Sequence, residues 1–302
     1  MRFDRPVVVD PARLRPAALA VLAAALALTL AAACAREGDD YDERVAEEHA
    51  TDRPVAAAAV AFGAAGDDVE VTAEEVVYGN AGGRELRGFL AQPAGAELRP
   101  DDGLPGVILI HEWWGLNENI ETMARRFAEQ GYVALAVDLY GGEVAEDPER
   151  ARELTESVEE GPALDNLRQA RRYLAEEQRS PRVGVVGWCF GGAWSLEGAL
   201  AMPDQLDAAV VYYGRLVTER DRLADLDTPL LGIFGSEDSS IPVADVRRFE
   251  STLEELGKDA EIHLYEGAGH AFANPSGERY VPEAAEDAWE KTLVFLAEHL
   301  KS

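Results

Sequence analysis

The chain has 302 residues, 47% of them hydrophobic, which is enough to bury one full core, and a formal net charge of −29. So large an acidic excess argues against nucleic acid as a partner, because phosphates attract the opposite sign. It reads as a solvated acidic surface and carries no catalytic meaning of its own.

Arg13 and Arg15 precede a nearly unbroken apolar stretch from Ala17 to Ala33, followed by Cys34 and the acidic run Glu37-Gly38-Asp39-Asp40. A basic flank, a short apolar region and small residues before the cut predict a secretory signal over residues 1–33. Leu30-Ala31-Ala32-Ala33-Cys34 resembles the box at which bacterial lipoproteins are cleaved and lipidated on cysteine. The expectation is an exported protein of the cell envelope, held to the membrane through lipid on Cys34. Simple cleavage and release, periplasmic or secreted, is the alternative. Residues 34–66 read as an acidic tether without sustained apolar periodicity. Only two cysteines exist, and a lipidated Cys34 has no thiol to offer Cys189, so no disulfide framework is expected.

From residue 67 to 302 the pattern is that of one domain. Val69-Glu70-Val71-Thr72 and 85–90 predict an opening pair of strands joined through Asn80-Ala81-Gly82-Gly83. Further strands are predicted at 106–110, 133–137, 183–186, 208–212, 230–234 and 261–265. Helices are predicted at 120–130, 193–201, 243–256 and 282–300, with two acidic helical stretches around 148–159 and 163–178. Continuous apolar strands alternating with helices predict an α/β fold with a mostly parallel central sheet and helices on both faces. In such a sheet function collects at the C-terminal ends of the strands.

Gly187-Trp188-Cys189-Phe190-Gly191-Gly192 follows the apolar run Val183-Gly184-Val185-Val186 and reads as a nucleophile elbow with cysteine in place of serine. The flanking glycines suit a strained strand-to-helix turn where side chains would clash. A structural cysteine in a glycine-rich turn is the other reading. A lone thiol in an exported protein is an oxidation liability, however, which favours a chemical role.

A cysteine nucleophile needs a base, and the base needs an orienting group. Of five histidines, His49 falls in the tether, His299 in the closing helix and His263 in a strand. His111 ends the first buried strand, where a structural role is expected. His270, in Gly267-Ala268-Gly269-His270-Ala271-Phe272, follows a strand at the correct end of the sheet and is the predicted base. Asp238, just past 230–234, fits the nucleophile–acid–base order. Glu237 is its neighbouring competitor, and Asp138 ends another strand ahead of the nucleophile.

These motifs, together with His111-Glu112-Trp113-Trp114-Gly115-Leu116-Asn117 and Gly269-His270-Ala271-Phe272, resemble the dienelactone hydrolase family from about Val71 to the C-terminus. The resemblance implies the α/β-hydrolase fold, a triad of Cys189, Asp238 and His270, and Glu112 in contact with the resting thiol. It also implies an oxyanion hole from the backbone N–H groups of Trp113 and Phe190, a device that contributes about 3 to 4 kcal/mol of transition-state stabilisation. One position departs from the family pattern. Members that hold a carboxylate-bearing lactone place an arginine shortly after the histidine, where this chain has Asn274. Arg279 is near enough to substitute, and Arg150 or Arg152 matches a second family arginine.

The expected function is cleavage of a small-molecule carboxylic ester or lactone through a thioester acyl-enzyme. No metal and no cofactor are expected, since H-E-x-x-H, C-x-x-C, a Walker loop and a strand-borne G-x-G-x-x-G are all missing from the sequence. The rival readings are a catalytically silent envelope scaffold on the same fold and an acyl or peptide hydrolase using the same triad.

Overall fold

The computed structural model describes Tyr41 and residues 44–50, 69–95 and 103–302. The chain divides into two units, Met1–Arg44 and Val45–Ser302, and only Tyr41 and Arg44 of the first are described. The expected signal segment, Cys34 and most of the expected tether lie outside the described residues. Among the described residues, no helix is long and apolar enough to cross a membrane.

In the second unit the strands are β1 (Val71–Ala81), β2 (Arg84–Pro93), β3 (Gly106–Ile110), β4 (Val133–Val137), β5 (Val183–Trp188), β6 (Ala208–Tyr212), β7 (Leu230–Gly235) and β8 (Ala260–Tyr265). The helices are α1 (Glu118–Glu129), α2 (Pro148–Ser157), α3 (Glu160–Glu176), α4 (Phe190–Ala201), α5 (Arg220–Leu223), α6 (Val243–Leu256) and α7 (Pro282–Leu300). The strands form one sheet in the order β1-β2-β4-β3-β5-β6-β7-β8. β2 pairs antiparallel with both β1 and β4, and every other pairing is parallel. This is the mostly parallel sheet that the sequence predicts.

Every residue of β3 through β7 is buried, as expected of strands covered on both faces and rich in Val, Ile, Leu and Ala. β1 differs from expectation, because it continues well past Thr72. Glu74 and Glu75 face solvent in an edge strand that buries only Tyr78, so it lacks the apolar alternation that marks a half-buried strand.

Helix starts also differ from those the sequence predicts. The Asn117 side chain accepts hydrogen bonds from the N–H groups of Asn119 and Ile120, so α1 begins at Glu118 rather than Ile120. α4 begins at Phe190 rather than Ala193 and is apolar nearly all round, the pattern of a helix enclosed by the core.

Because β3, β5, β6, β7 and β8 run parallel, their C-terminal ends share one edge of the sheet. The segments that follow them carry Glu112, Cys189, Tyr213, Asp238 and His270.

Candidate active site

Cys189 caps the end of β5 with φ 54° and ψ −115°, a left-side conformation that costs a non-glycine residue about 1–3 kcal/mol. The surroundings hold it there. The Cys189 N–H donates to the Tyr212 carbonyl at 3.0 Å, and its own carbonyl accepts from the Ala193 N–H at 3.2 Å. A Cβ on Gly187 would overlap the Gly191 carbonyl, and one on Gly191 would overlap the Ile110 carbonyl. The glycines flanking the cysteine are therefore required by close backbone approach. The thiol is buried, with 1% of the residue exposed.

Asp238 and His270 meet because the loops after β7 and β8 are tied together. The Ser236 N–H donates to the Tyr265 carbonyl and the Glu237 N–H to the Ala268 carbonyl, both at 2.9 Å. His270 Nδ1 then lies 2.8 Å from Asp238 Oδ2 with both side chains fully buried. Asp238 Oδ1 accepts from the N–H groups of Ser240 and Ile241, each at 2.8 Å, which fixes the carboxylate in one orientation. Glu237 is exposed. Asp138 accepts from the N–H groups of Tyr140, Gly141 and Gly142 and so closes a turn.

A ring nitrogen of His270 and the sulfur of Cys189 lie within 4.8 Å. His270 Nε2 has no hydrogen bond of ordinary geometry among the described residues, a spacing common in resting sites that tighten when substrate arrives. Burial disfavours charge on His270, but Asp238 and Cys189 beside it reverse that and raise its pKa well above the ordinary imidazole value. Burial pushes the Cys189 thiol up, yet His270 and then His49 outweigh it and bring the thiol down to about 6. Each group thus favours the charged form of the other, negative on the sulfur and positive on the imidazole.

Glu112, following β3, is buried and receives a hydrogen bond from Asn274 Nδ2. Burial and the nearby Cys189 push its carboxyl up to about 7, against His49, His270 and Asn274. Trp113 follows β3 and Phe190 opens α4, and both are buried. His111 is structural. Its Nε2 accepts from the Leu139 N–H at 3.2 Å, so Nδ1 carries the proton toward the Glu112 carbonyl at 2.6 Å. His263 lies 3.6 Å from Glu261 on β8, and His299 packs on Phe295 in α7.

The arginines do different work from that expected. Arg279 donates to the His270 carbonyl at 3.0 Å, to the Glu48 carbonyl at 3.0 Å and to His49 Nδ1 at 2.6 Å. Arg150 pairs with Glu143 and Glu153, and Arg152 with Glu156.

Sequence reasoning missed two neighbours of Cys189. Tyr213, at φ 38° just past β6, is buried with its ring 5.3 Å from that of His270. His49, expected in the tether, is 3% exposed and lies 5.2 Å from the His270 ring and 4.9 Å from the Trp113 ring. One donor atom each from His49, Cys189 and His270 fall within 4.8 Å of one another, a spacing that would suit a cation. The Arg279 guanidinium behind His49 and the proton that Asp238 keeps on His270 Nδ1 mark the cluster as one that holds protons.

A sequence profile of the dienelactone hydrolase family matches residues 86–300. The chain belongs to the dienelactone hydrolase family. A relative named Protein usf, from Aquifex pyrophilus, is 35% identical over 227 residues, covering 72% of this chain and 95% of that protein. A provisionally named carboxymethylenebutenolidase from Saccharolobus solfataricus is 31% identical over 261 residues, covering 74% and 98%. Among solved structures, a provisionally named dienelactone hydrolase from Klebsiella pneumoniae superposes with a TM-score of 0.68 at 31% identity, over 76% of this chain and 99% of that one. A dienelactone hydrolase-like promiscuous phosphotriesterase from metagenomic libraries matches with a TM-score of 0.67 at 23% identity, covering 76% and 98%; that likeness concerns the fold alone. This dienelactone hydrolase family member therefore has the α/β-hydrolase fold, and its family makes it a carboxylic ester or lactone hydrolase.

Proposed function

We propose that this enzyme cleaves carboxylic esters or lactones by nucleophilic attack of the Cys189 sulfur, with His270 as acid and base and Asp238 as its orienting partner. The observation that carries the reading is the buried Asp238–His270 pair at 2.8 Å beside a cysteine held at the tip of a strained elbow.

In the first half-reaction the thiolate adds to the carbonyl carbon, forming a C–S bond as the carbonyl electron pair moves to oxygen. The backbone N–H groups of Trp113 and Phe190 receive that charge. The oxyanion collapses, the C–O bond breaks, and the His270 imidazolium gives its proton to the departing alkoxide, leaving a thioester. In the second, neutral His270 takes a proton from water as the resulting hydroxide adds to the thioester. Collapse then releases acid and thiolate. A thiol at about 6 makes the nucleophile available at neutral pH, and Glu112 in the same pocket opposes excess negative charge.

Two measurements on one slow aryl ester test this. Acid-quenched turnover mixtures should carry the acyl mass on the peptide containing Cys189. The acid limb of kcat/KM should rise through about pH 6 as the thiolate forms. Acyl mass on a different residue, or a limb centred above pH 8, would overturn the assignment.

Substrate charge follows from Asn274 and Arg279. Asn274 donates to Glu112, while Arg279 holds the His270 and Glu48 carbonyls. A buried carboxylate on the substrate needs a charge-assisted donor of fixed geometry, which Asn274 does not supply. The enzyme is expected to prefer an anionic dienelactone over a neutral ester of similar size by less than about a hundredfold in kcat/KM, roughly 2.7 kcal/mol. A larger preference contradicts this reading.

The same reading places the enzyme at the cell envelope, lipidated on Cys34, with the apolar stretch 17–33 as its support. Stable anchoring takes more than one acyl chain. The N-terminal mass of membrane-extracted protein checks it, and an unmodified terminus at another residue refutes it.

A further inference from the structure

Residues 45–50 belong to the same unit as the catalytic residues and are fastened to the active-site loops. Residues 45–48 are helical, and the His49 N–H donates to the Val45 carbonyl at 3.0 Å. The Glu48 carboxylate accepts from Ser239 Oγ at 2.7 Å and Ser240 Oγ at 2.8 Å, next to Asp238. Arg279 grips the Glu48 carbonyl and His49 Nδ1 while its Nε holds the His270 carbonyl. The His49 ring is thereby set between the rings of Trp113 and His270, with a nitrogen within 4.8 Å of the Cys189 sulfur.

Arg279 also decides the protonation state of this ring. A guanidinium can only donate, so His49 Nδ1 must accept. The ring is then neutral, with its one hydrogen on Nε2, and can offer an N–H but not take a proton through Nδ1.

We infer that His49 is a positioning residue of the active site: held by Arg279 as the neutral Nε2–H tautomer, it donates that hydrogen to the Cys189 sulfur and stabilises the sulfur as a thiolate. The inference rests on Cys189 as nucleophile and deepens that reading. The groups facing the sulfur are His270 after β8, His49 on the N-terminal segment, Glu112 after β3 and Tyr213 after β6. Asp238 stands behind His270 and Arg279 behind His49. His49 and His270 lower the thiol pKa against burial. A base already exists in His270, so a second imidazole fixed as a donor adds stabilisation of the anion without competing for its proton.

The test uses the full chain and two variants. His49→Phe keeps an aromatic ring against Trp113 but removes the donor, and His49→Gln returns an N–H near the place of Nε2. Iodoacetamide labelling of the peptide containing Cys189 is followed by mass spectrometry across pH, which separates it from Cys34. The midpoint of labelling reports thiol ionisation whatever the accessibility of the sulfur. In His49→Phe the midpoint should rise by about one pH unit, and kcat/KM should fall up to about tenfold at pH 6 while recovering near pH 8.5. His49→Gln should restore both to near wild type. His49→Leu replaces the phenylalanine variant if the latter fails to fold.

A midpoint that moves by less than about half a unit overturns the inference. So does faster turnover with an unmoved midpoint, which would make residues 45–50 a simple plug. A Cys189→Ala variant that loses activity, together with a His49→Phe variant that titrates like wild type, would sink this inference and leave the nucleophile assignment standing.

Discussion

Replacing Cys189 with alanine is expected to lower turnover of esters by about four to six orders of magnitude, as removal of a nucleophile does in triad enzymes. The expectation follows from where the sulfur sits. It occupies the tip of an elbow at a φ of 54°, and it is the group whose ionisation His270 and then His49 are placed to shift. Alanine fits the same backbone and removes a buried thiol, so the fold should survive. What remains is stabilisation by backbone N–H groups and substrate binding, which together still exceed the reaction in water. A variant retaining more than about a tenth of the wild-type rate contradicts the assignment, since acid–base help alone contributes only about 10²–10⁴-fold.

Asp238→Asn should cost about 10⁴-fold in kcat while leaving the protein folded. Asp238 Oδ1 already accepts from the N–H groups of Ser240 and Ile241 at 2.8 Å each, and an asparagine oxygen can keep both bonds. Its amide nitrogen must then face His270 Nδ1, where the aspartate accepts at 2.8 Å. Two donors cannot face each other, so Nδ1 gives up its hydrogen and the ring is held neutral with its one hydrogen on Nε2, unable to take a proton from the attacking water there. The charge support from Asp238 that raises His270 is lost as well. Steady-state kinetics with a far-UV spectrum of the variant decide it. A loss below about a hundredfold would mean that Asp238 does not set the tautomer.

The core, and the meeting of Cys189, Asp238 and His270 at one end of the sheet, were legible in the sequence for a common reason. β3 through β7 are short apolar runs with every residue buried, and parallel strands deliver whatever follows them to one edge. Cys189, Asp238 and His270 each stand just beyond such a run, so periodicity was enough to place them together. β1 was cut short because its exposed Glu74 and Glu75 erase the alternation. Tyr213 reads like one more residue of an apolar strand, and only its φ of 38° and its ring against His270 set it apart.

His49 was illegible for another reason. It sits in an acidic stretch without a local pattern, and its partners are Arg279, Trp113 and His270, far along the chain. Such contacts leave no mark on the neighbouring sequence. Asn274 stands out in the sequence only against the family resemblance, and its hydrogen bond to Glu112 depends on side-chain geometry that spacing does not encode.

The placement of the site at the ends of separate strands has a consequence in time. Cys189 precedes His270 by 81 residues, so at a synthesis rate of about 5–20 residues per second the thiol exists for roughly 4–16 s before its base is made. During that interval it is an ordinary cysteine with a pKa near ~8.5, only a few per cent ionised at neutral pH. Most of the lowering waits for folding through β8, because His270, the larger of the two contributors, arrives with the loop beyond that strand. On the proposed reading, the thiol of a nascent chain ionises like any exposed cysteine, and its lowered pKa comes only with the finished sheet.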